Sequence, residues 1–292
     1  MRGIIVKLIH RAAFAAFAAG IVVGGPAFAQ SNMIPFGKET FQLDFGYYRP
    51  KFNTSFSQSF PGSPIPPGTI SPESDLNFDD SLGVARLGGH WRFADRHRLF
   101  FGYYNLNRDS TATLARNIGP ISIPAAGIND TILAGSNVTG KTNWDVYIIG
   151  YGYSFYKTET AEITGKIGLD VANISAKLSG TLNLAGGGVA SAAGSSSDVT
   201  APLPVLGISG EWAFAPQWKL IGSIGGFKAK ISNVDGTIVD GTIAVDYRLF
   251  RNFGVGVGYS WLKLKADVNK SDFNGSLNWK TDGFQIYGSL VF

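Results

Sequence analysis

From residue 41 onward, apolar and polar positions alternate with a period of two in one segment after another. Successive side chains of a strand point to opposite faces, so this period predicts strands. In the last segment Phe284, Ile286, Gly288, Leu290 and Phe292 share one face, and Gly283, Gln285, Tyr287, Ser289 and Val291 the other. The first segment sets Phe41, Leu43, Phe45 and Tyr47 against Gln42, Asp44, Gly46 and Tyr48. The second sets Ala85, Leu87, Trp91 and Phe93 against Val84, Arg86, His90 and Arg92. Similar runs follow around Phe101, Ile149, Ile167, Ile208, Val245 and Val257, and a less regular one spans Trp218 to Ile231.

That makes ten strands, with eight or twelve as the alternatives if the first and fifth patterns are misread. The connections alternate too. Links after the second, fourth, sixth and eighth strands are a few residues, whereas those after the first, third and fifth are long and rich in Pro, Ser and Gly. Short turns on one side and long loops on the other fit a transmembrane antiparallel up-and-down β-barrel, all-β, with lipid meeting every second side chain. The first loop is expected to begin at Phe52 and the second to run from Asp109 to Val138. The third, AGGGVASAAGSSSD, is flexible by composition. Asp235-Gly236 marks a hairpin turn.

Composition sharpens this picture. The chain is 45% hydrophobic with 38 Gly and no Cys. No segment after the leader reaches the roughly 18 apolar residues of a spanning helix. Disulfides and thiolate metal sites are excluded. Residues 1–29 read as a signal peptide: a basic start at Arg2, Lys7 and Arg11, an apolar core from Ala12 to Val23, and a cleavage pattern at Ala27-Phe28-Ala29. The alternative is an uncleaved helical anchor. Residues 30–292 form the barrel. Three of the 25 basic residues leave with the leader, so 22 face 21 acids and the mature charge is +1. The basic pI carries no argument for nucleic acid.

Two resemblances add to this. The ending resembles the terminal signal of Gram-negative outer-membrane barrels, in which a final Phe, an apolar residue two before it and a polar residue seven before it are read by the barrel-assembly machinery. Here these are Phe292, Leu290 and Gln285, while Tyr287 stands where that family usually has Gly. The run from Leu76 to Gly83, with Arg86 to Phe93 and His97 to Tyr104, is similar to a group of proteobacterial outer-membrane barrel proteins, most without an assigned activity. The resemblance implies an outer-membrane location, with membrane lipid and lipopolysaccharide as surroundings. It transfers no catalytic residue.

Gly135-Ser136-Asn137-Val138-Thr139-Gly140-Lys141-Thr142 matches the phosphate-cradling pattern G-x-x-x-x-G-K-[ST]. That loop works between a buried strand and a helix. Here an alternating strand follows, so no nucleotide is expected, and no cofactor. The face opposite the apolar one carries Asp44, Arg86, His90, Arg92, Glu162, Lys166, Asp170, Glu211, Asp246 and Arg248. These charges either pair and plug a narrow barrel or line a passage for small solutes. A lumen of about eight strands is filled by side chains, and open channels appear near sixteen, which favours the plug.

Some outer-membrane barrels, including ten-stranded proteases, are hydrolases using His near the outer rim. Of three histidines here, His10 leaves with the leader, His97 sits at a periplasmic turn and His90 lies low on its strand. No enzyme is expected. Glu73, Asp75, Asp79 and Asp80 read as a solvated acidic loop, the alternative being weak hold on a hard cation. Trp91, Phe93, Tyr153, Phe155, Trp212, Phe214 and Phe253 read as an aromatic girdle at headgroup level. The expected role is structural or limited passage of small solutes, with surface binding or adhesion through the long loops as the alternative.

Overall fold

Ten long strands follow one another around a closed antiparallel sheet: β1 (Phe41–Ser59), β2 (Val84–Ala94), β3 (His97–Thr113), β4 (Asn137–Lys157), β5 (Ala161–Asn183), β6 (Ser195–Ala215), β7 (Trp218–Ile231), β8 (Val234–Phe250), β9 (Phe253–Asn269) and β10 (Asn274–Val291). This is a computed structural model, and it describes residues 33–59, 68–123, 128–191, 195–231, 233–269 and 274–292. The expected leader, its anchor alternative and the turn near Lys270 and Ser271 lie outside the described residues.

Each strand pairs with its neighbours in sequence, and β1 pairs with β10 from Gln42↔Val291 to Ser59↔Asn274, which closes the barrel. Closure leaves no strand edge, as a sheet in hydrocarbon requires. The chain carries on past the last strand to tie the seam: the Phe292 carbonyl accepts from the Thr40 and Phe41 N–H groups. The period of two holds throughout. Trp91, Ile149, Ile167, Ile208, Trp212, Ile243, Val257 and Phe284 are exposed on the outside, while Val84, Arg98, Val146, Glu162 and Ala244 are buried within.

Four short links join β2–β3, β4–β5, β6–β7 and β8–β9 at one end, called here the short-turn end. The loop end carries the long connections. There the structure corrects several expectations. β1 does not stop before Phe52 but runs to Ser59. Pro50 is tolerated because its carbonyl, and hence its missing N–H, faces the β2 side, where pairing with β2 has already ended at Tyr48↔Val84. The ladder to β10 therefore continues unbroken. β3 and β4 extend to Thr113 and from Asn137, and the link between them holds a hairpin of Ile118–Ile123 and Ile128–Ile132. β6 takes in Ser195 to Asp198 at the end of the glycine-rich stretch, Val189–Ser191 of that stretch pairs back on the end of β5, and residues 192–194 lie outside the described residues. Asp235-Gly236 lies within β8, whose first residue Val234 already pairs with Ile231. The inward alternation of Ile238, Asp240 and Thr242 fixes that register and overrides the local turn signal.

β4, β5 and β6 are 21, 23 and 21 residues long. A bilayer needs about 9–11. Their surplus stands beyond the loop end around its own apolar cluster of Leu114, Ile118, Ile132, Val138 and Leu182.

Candidate functional site

The lumen has three tiers. At the short-turn end lies a chain of charges that alternates in sign: Glu39, Arg92, Glu162, Arg98, Glu211, Lys219, Asp246. Arg92 donates both ends of its fork to Glu162, at 2.9 Å each, and lies 3.5 Å from Glu39. Arg98 pairs with Glu162 and Glu211. Lys219 lies 3.1 Å from Glu211 and 3.7 Å from Asp246. Asp246 also accepts from the Tyr287 hydroxyl, and Glu162 from Ser154. The chain crosses the lumen from the segment before β1 to β8, and Arg98 and Glu162 are fully buried. Gly152 on β4 makes the crossing feasible. A side chain there would collide with Phe100 and Thr164, the inward neighbours of Arg98 and Glu162.

The middle tier is a cavity of about 330 Å³. Glycines build it by omission: Gly46, Gly88, Gly102, Gly150, Gly168, Gly207 and Gly225 all face it. Lys166, Gly207, Gly225 and Asp240 are consecutive partners across β5, β6, β7 and β8, so two bare positions separate a cation from an anion. Arg86 donates to Gln285 at 2.8 Å, and Lys166 stands 5.4 Å over the Phe100 ring. Among the described residues, neither Asp170 nor Asp240 makes an ion pair within 4 Å, and Asp240 Oδ1 has no hydrogen-bond partner.

The third tier is apolar. Phe52, Val84, Leu106 and Trp279 are buried across the lumen, with Tyr48, Tyr104, Trp144, Leu262 and Leu264 packed on them. The Trp144 and Trp279 rings are 4.2 Å apart. Above them the first loop folds inward on a one-turn helix, α1 (Pro72–Asp75). Glu73 accepts from Thr54 and pairs with Arg108 at 2.8 Å, and Arg108 lies 4.3 Å over Phe52.

The ten expected lumen charges divide between these tiers. His90, Arg92, Glu162, Glu211 and Asp246 lie in the alternating chain or against it. Arg86, Lys166 and Asp170 face the cavity. Asp44 lies between the two and accepts from Gln42 at 2.9 Å. Arg248 is set apart and donates to the Arg251 carbonyl at 3.3 Å. Sequence reading missed Glu39, Arg98, Lys219, Asp240 and the aromatic tier. Arg98 and Asp240 were open to discovery by extending the alternation two positions beyond Phe100 and Thr242. Lys219 was hidden by the irregular pattern of β7, and Glu39 precedes the first strand.

Of the terminal signal residues, Gln285 points inward to Arg86, while Leu290 and Phe292 point outward. The acidic loop is corrected: Glu73 and Asp75 pair with Arg108 and Arg116, and Asp80 lies 3.7 Å from Lys51, because the loop folds over basic strand ends. The phosphate-loop pattern leads into β4, with no helix after it. Its Gly140 admits Phe78, whose ring a side chain there would strike at 2.8 Å. His97 belongs to β3 rather than to the turn, with Nδ1 2.6 Å from the Tyr151 hydroxyl on the outer face. The expected girdle residues stand outward near the short turns, where Trp212, Phe214 and Trp218 form a run of ring contacts.

No family model and no curated protein matches the chain. Solved structures do. The outer membrane protease OmpT of Escherichia coli is 8% identical, with 90% of this chain and 100% of that chain covered and a TM-score of 0.52. The chain has the fold of an outer-membrane β-barrel. The translocator domain of the autotransporter NalP from Neisseria meningitidis is 9% identical over 84% of this chain and 88% of that one, at a TM-score of 0.38. Ail, the attachment invasion locus protein of Yersinia pestis, is 10% identical over 84% and 97%, at 0.28. At these identities the likeness concerns the fold.

Proposed function

We propose that this chain is an integral barrel of the Gram-negative outer membrane, with its short-turn end in the periplasm and its lumen shut at rest. Its role is structural, and it presents the ordered loop-end extension at the cell surface. The observation that carries this is the alternating chain from Glu39 to Asp246. Seven charges of alternating sign, linked across a narrow lumen, neutralise one another and fill its short-turn end. Membrane lipid and lipopolysaccharide surround the barrel. The assembly machinery reads its C-terminal strand through Gln285, Leu290 and Phe292. Neither nucleotide nor nucleic acid is a partner, and no catalytic role is assigned: His90 lies against the buried chain and His97 faces outward.

The cavity supports a second reading, limited passage of small solutes. Among the described residues, Arg86, Lys166, Asp170 and Asp240 face it without an ion-pair partner within 4 Å. Planar-bilayer recording separates the two. A silent wild-type barrel fits the shut lumen. Conductance steps that shift when Arg86 or Lys166 is neutralised would replace it with passage. The cluster around Leu182 favours surface binding as the alternative, because it holds the loop end in one shape. Deleting residues 114–136 would then abolish cell-surface attachment and leave the bilayer silent.

A further inference from the structure

Outward-facing lysines gather on one side of the barrel at one height. Lys228 lies ten positions from Trp218 on β7, Lys263 ten from Phe253 on β9, Lys280 ten from Leu290 on β10, and Lys51 ten from Phe41 on β1. All four are exposed. Ten residues at about 3.3 Å each, on a strand tilted by about 40°, climb roughly 25 Å, the height of the apolar band of such barrels. Asp282 and Arg49 lie one outward position below Lys280 and Lys51, and the outward residues below the lysines are otherwise largely apolar: Tyr259 and Trp261 on β9, Ile286 and Phe284 on β10, the last 75% exposed. The lysines therefore stand at the outer edge of the hydrocarbon, three of them on the adjacent strands β9, β10 and β1 and Lys228 beyond β8 on β7.

Ten positions from the outward residues Leu99, Phe155, Ile163 and Phe214 on the opposite side stand Asp109, Asp145, Asn173 and Pro204 on β3 to β6. The basic character is local. It is also placed at a cost. Lys263 and Lys280 are direct cross-strand partners. Like charges directly opposite each other on one face destabilise a sheet. Among the described residues neither makes an ion pair, nor does Lys228, whereas Lys265 is held by Asp267 at 2.9 Å and Lys51 lies 3.7 Å from Asp80. Asp282 stands one outward position below Lys280 but accepts from the Tyr259 hydroxyl. A multiply charged anion between Lys263 and Lys280 would turn the repulsion into attraction. At that height in the outer leaflet the anions are headgroup phosphates.

Resting on the outer-membrane reading above, we propose that the outer face of β7, β9, β10 and β1 is a binding site for the phosphates of a phosphorylated glycolipid of the outer leaflet. Lys263 and Lys280 clamp one phosphate and Lys228 supports its neighbour.

The test uses the full chain in phosphatidylcholine bilayers containing either lipid A bisphosphate or the same lipid A with its phosphates removed, followed by extraction in mild detergent and native mass spectrometry. Wild type should retain the bisphosphate. Lys263→Gln with Lys280→Gln should retain roughly tenfold less, and neither protein should hold the dephosphorylated lipid. Lys141→Gln with Lys177→Gln, a second opposed pair beyond the apolar band, should retain as much as wild type. Millimolar inorganic phosphate should not displace the lipid. In detergent without lipid A the Lys263/Lys280 variant should melt no lower than wild type, since the repulsion is relieved. Equal retention by that variant, or equal retention of the dephosphorylated lipid, would overturn the site while leaving the barrel reading intact. A chain that remains in the aqueous fraction of both mixtures would overturn both.

Discussion

Arg98 on β3 and Glu162 on β5 form a fully buried ion pair that reaches across β4 at the foot of the lumen. Each is held from the other side as well, Arg98 by Glu211 and Glu162 by the fork of Arg92. The energetic weight of such a pair lies in what its loss leaves behind. Replacing Arg98 by Met removes the cation shared by two buried carboxylates, leaving Glu162 to Arg92 alone and Glu211 to Lys219, and should cost roughly 3–5 kcal/mol. Lys51→Gln, at an ion pair 70% and 60% exposed, should cost under about 0.5 kcal/mol. Urea unfolding of the detergent-refolded barrel measures both. Equal effects would mean that the alternating chain is not what fastens the short-turn end.

The aromatic tier should govern access from the loop end. Trp279 packs on Trp144 and closes the layer above the cavity. Trp279→Ala leaves a void in that layer and should lower stability by roughly 3–5 kcal/mol. The chain has no cysteine, so Ser223→Cys places a single thiol on the cavity wall. A charged methanethiosulfonate reagent should label that thiol slowly in the parent barrel and at least severalfold faster once Trp279 is Ala. Rapid labelling of both would show that the lumen is open without any change at the aromatic tier.

The terminal residues divide between two tasks. Phe292 projects outward, 56% exposed, while its backbone N–H donates to Phe41 and its carbonyl accepts from Thr40 and Phe41. Phe292→Ala keeps those backbone bonds. The refolded barrel should therefore melt close to wild type, whereas the amount recovered folded in the outer-membrane fraction of cells should fall. Heat-modifiability on gels reads both quantities. A matched loss in vitro and in cells would make the ring a structural residue rather than part of an assembly signal.

Most of the barrel was legible in sequence because a lipid-facing wall forces a strict period of two, and β2, β9 and β10 display it without interruption. The loop end was less legible. Phe52 and the Ser- and Asn-rich stretch after it look like loop, yet they are strand because their polar groups meet a partner edge. Asp235-Gly236 looks like a turn, yet register along β8 overrules it. In the lumen, residues such as Arg92 and Glu162 could be placed on the inner face by counting. Their division into a paired chain and an unpaired cavity could not. That division depends on which charges reach one another over Gly152 and which are kept apart by Gly207 and Gly225, a matter of depth and angle that one-dimensional alternation does not encode.

The closing seam supplies a last expectation. Gly283 on β10 is buried opposite Pro50 on β1. A Cβ there would lie 2.1 Å from the Arg49 carbonyl oxygen and 2.8 Å from the Pro50 Cα, both backbone atoms that cannot swing aside. Relief requires β1 and β10 to part along the one pairing that closes the barrel, which exposes unpaired backbone groups to hydrocarbon at several kcal/mol each. Gly222, by contrast, has nothing within 4 Å of its added Cβ. There alanine should be neutral or stabilise by up to roughly 0.5–1 kcal/mol, since glycine weakens a strand interior. Gly283→Ala should thus abolish or sharply reduce the compact, heat-modifiable form, and Gly222→Ala should preserve it with an equal or higher melting temperature. A Gly283→Ala barrel that folds in wild-type yield would show that the seam does not run in the register from Gln42↔Val291 to Ser59↔Asn274 on which the lumen, the girdle and the lysine face all depend.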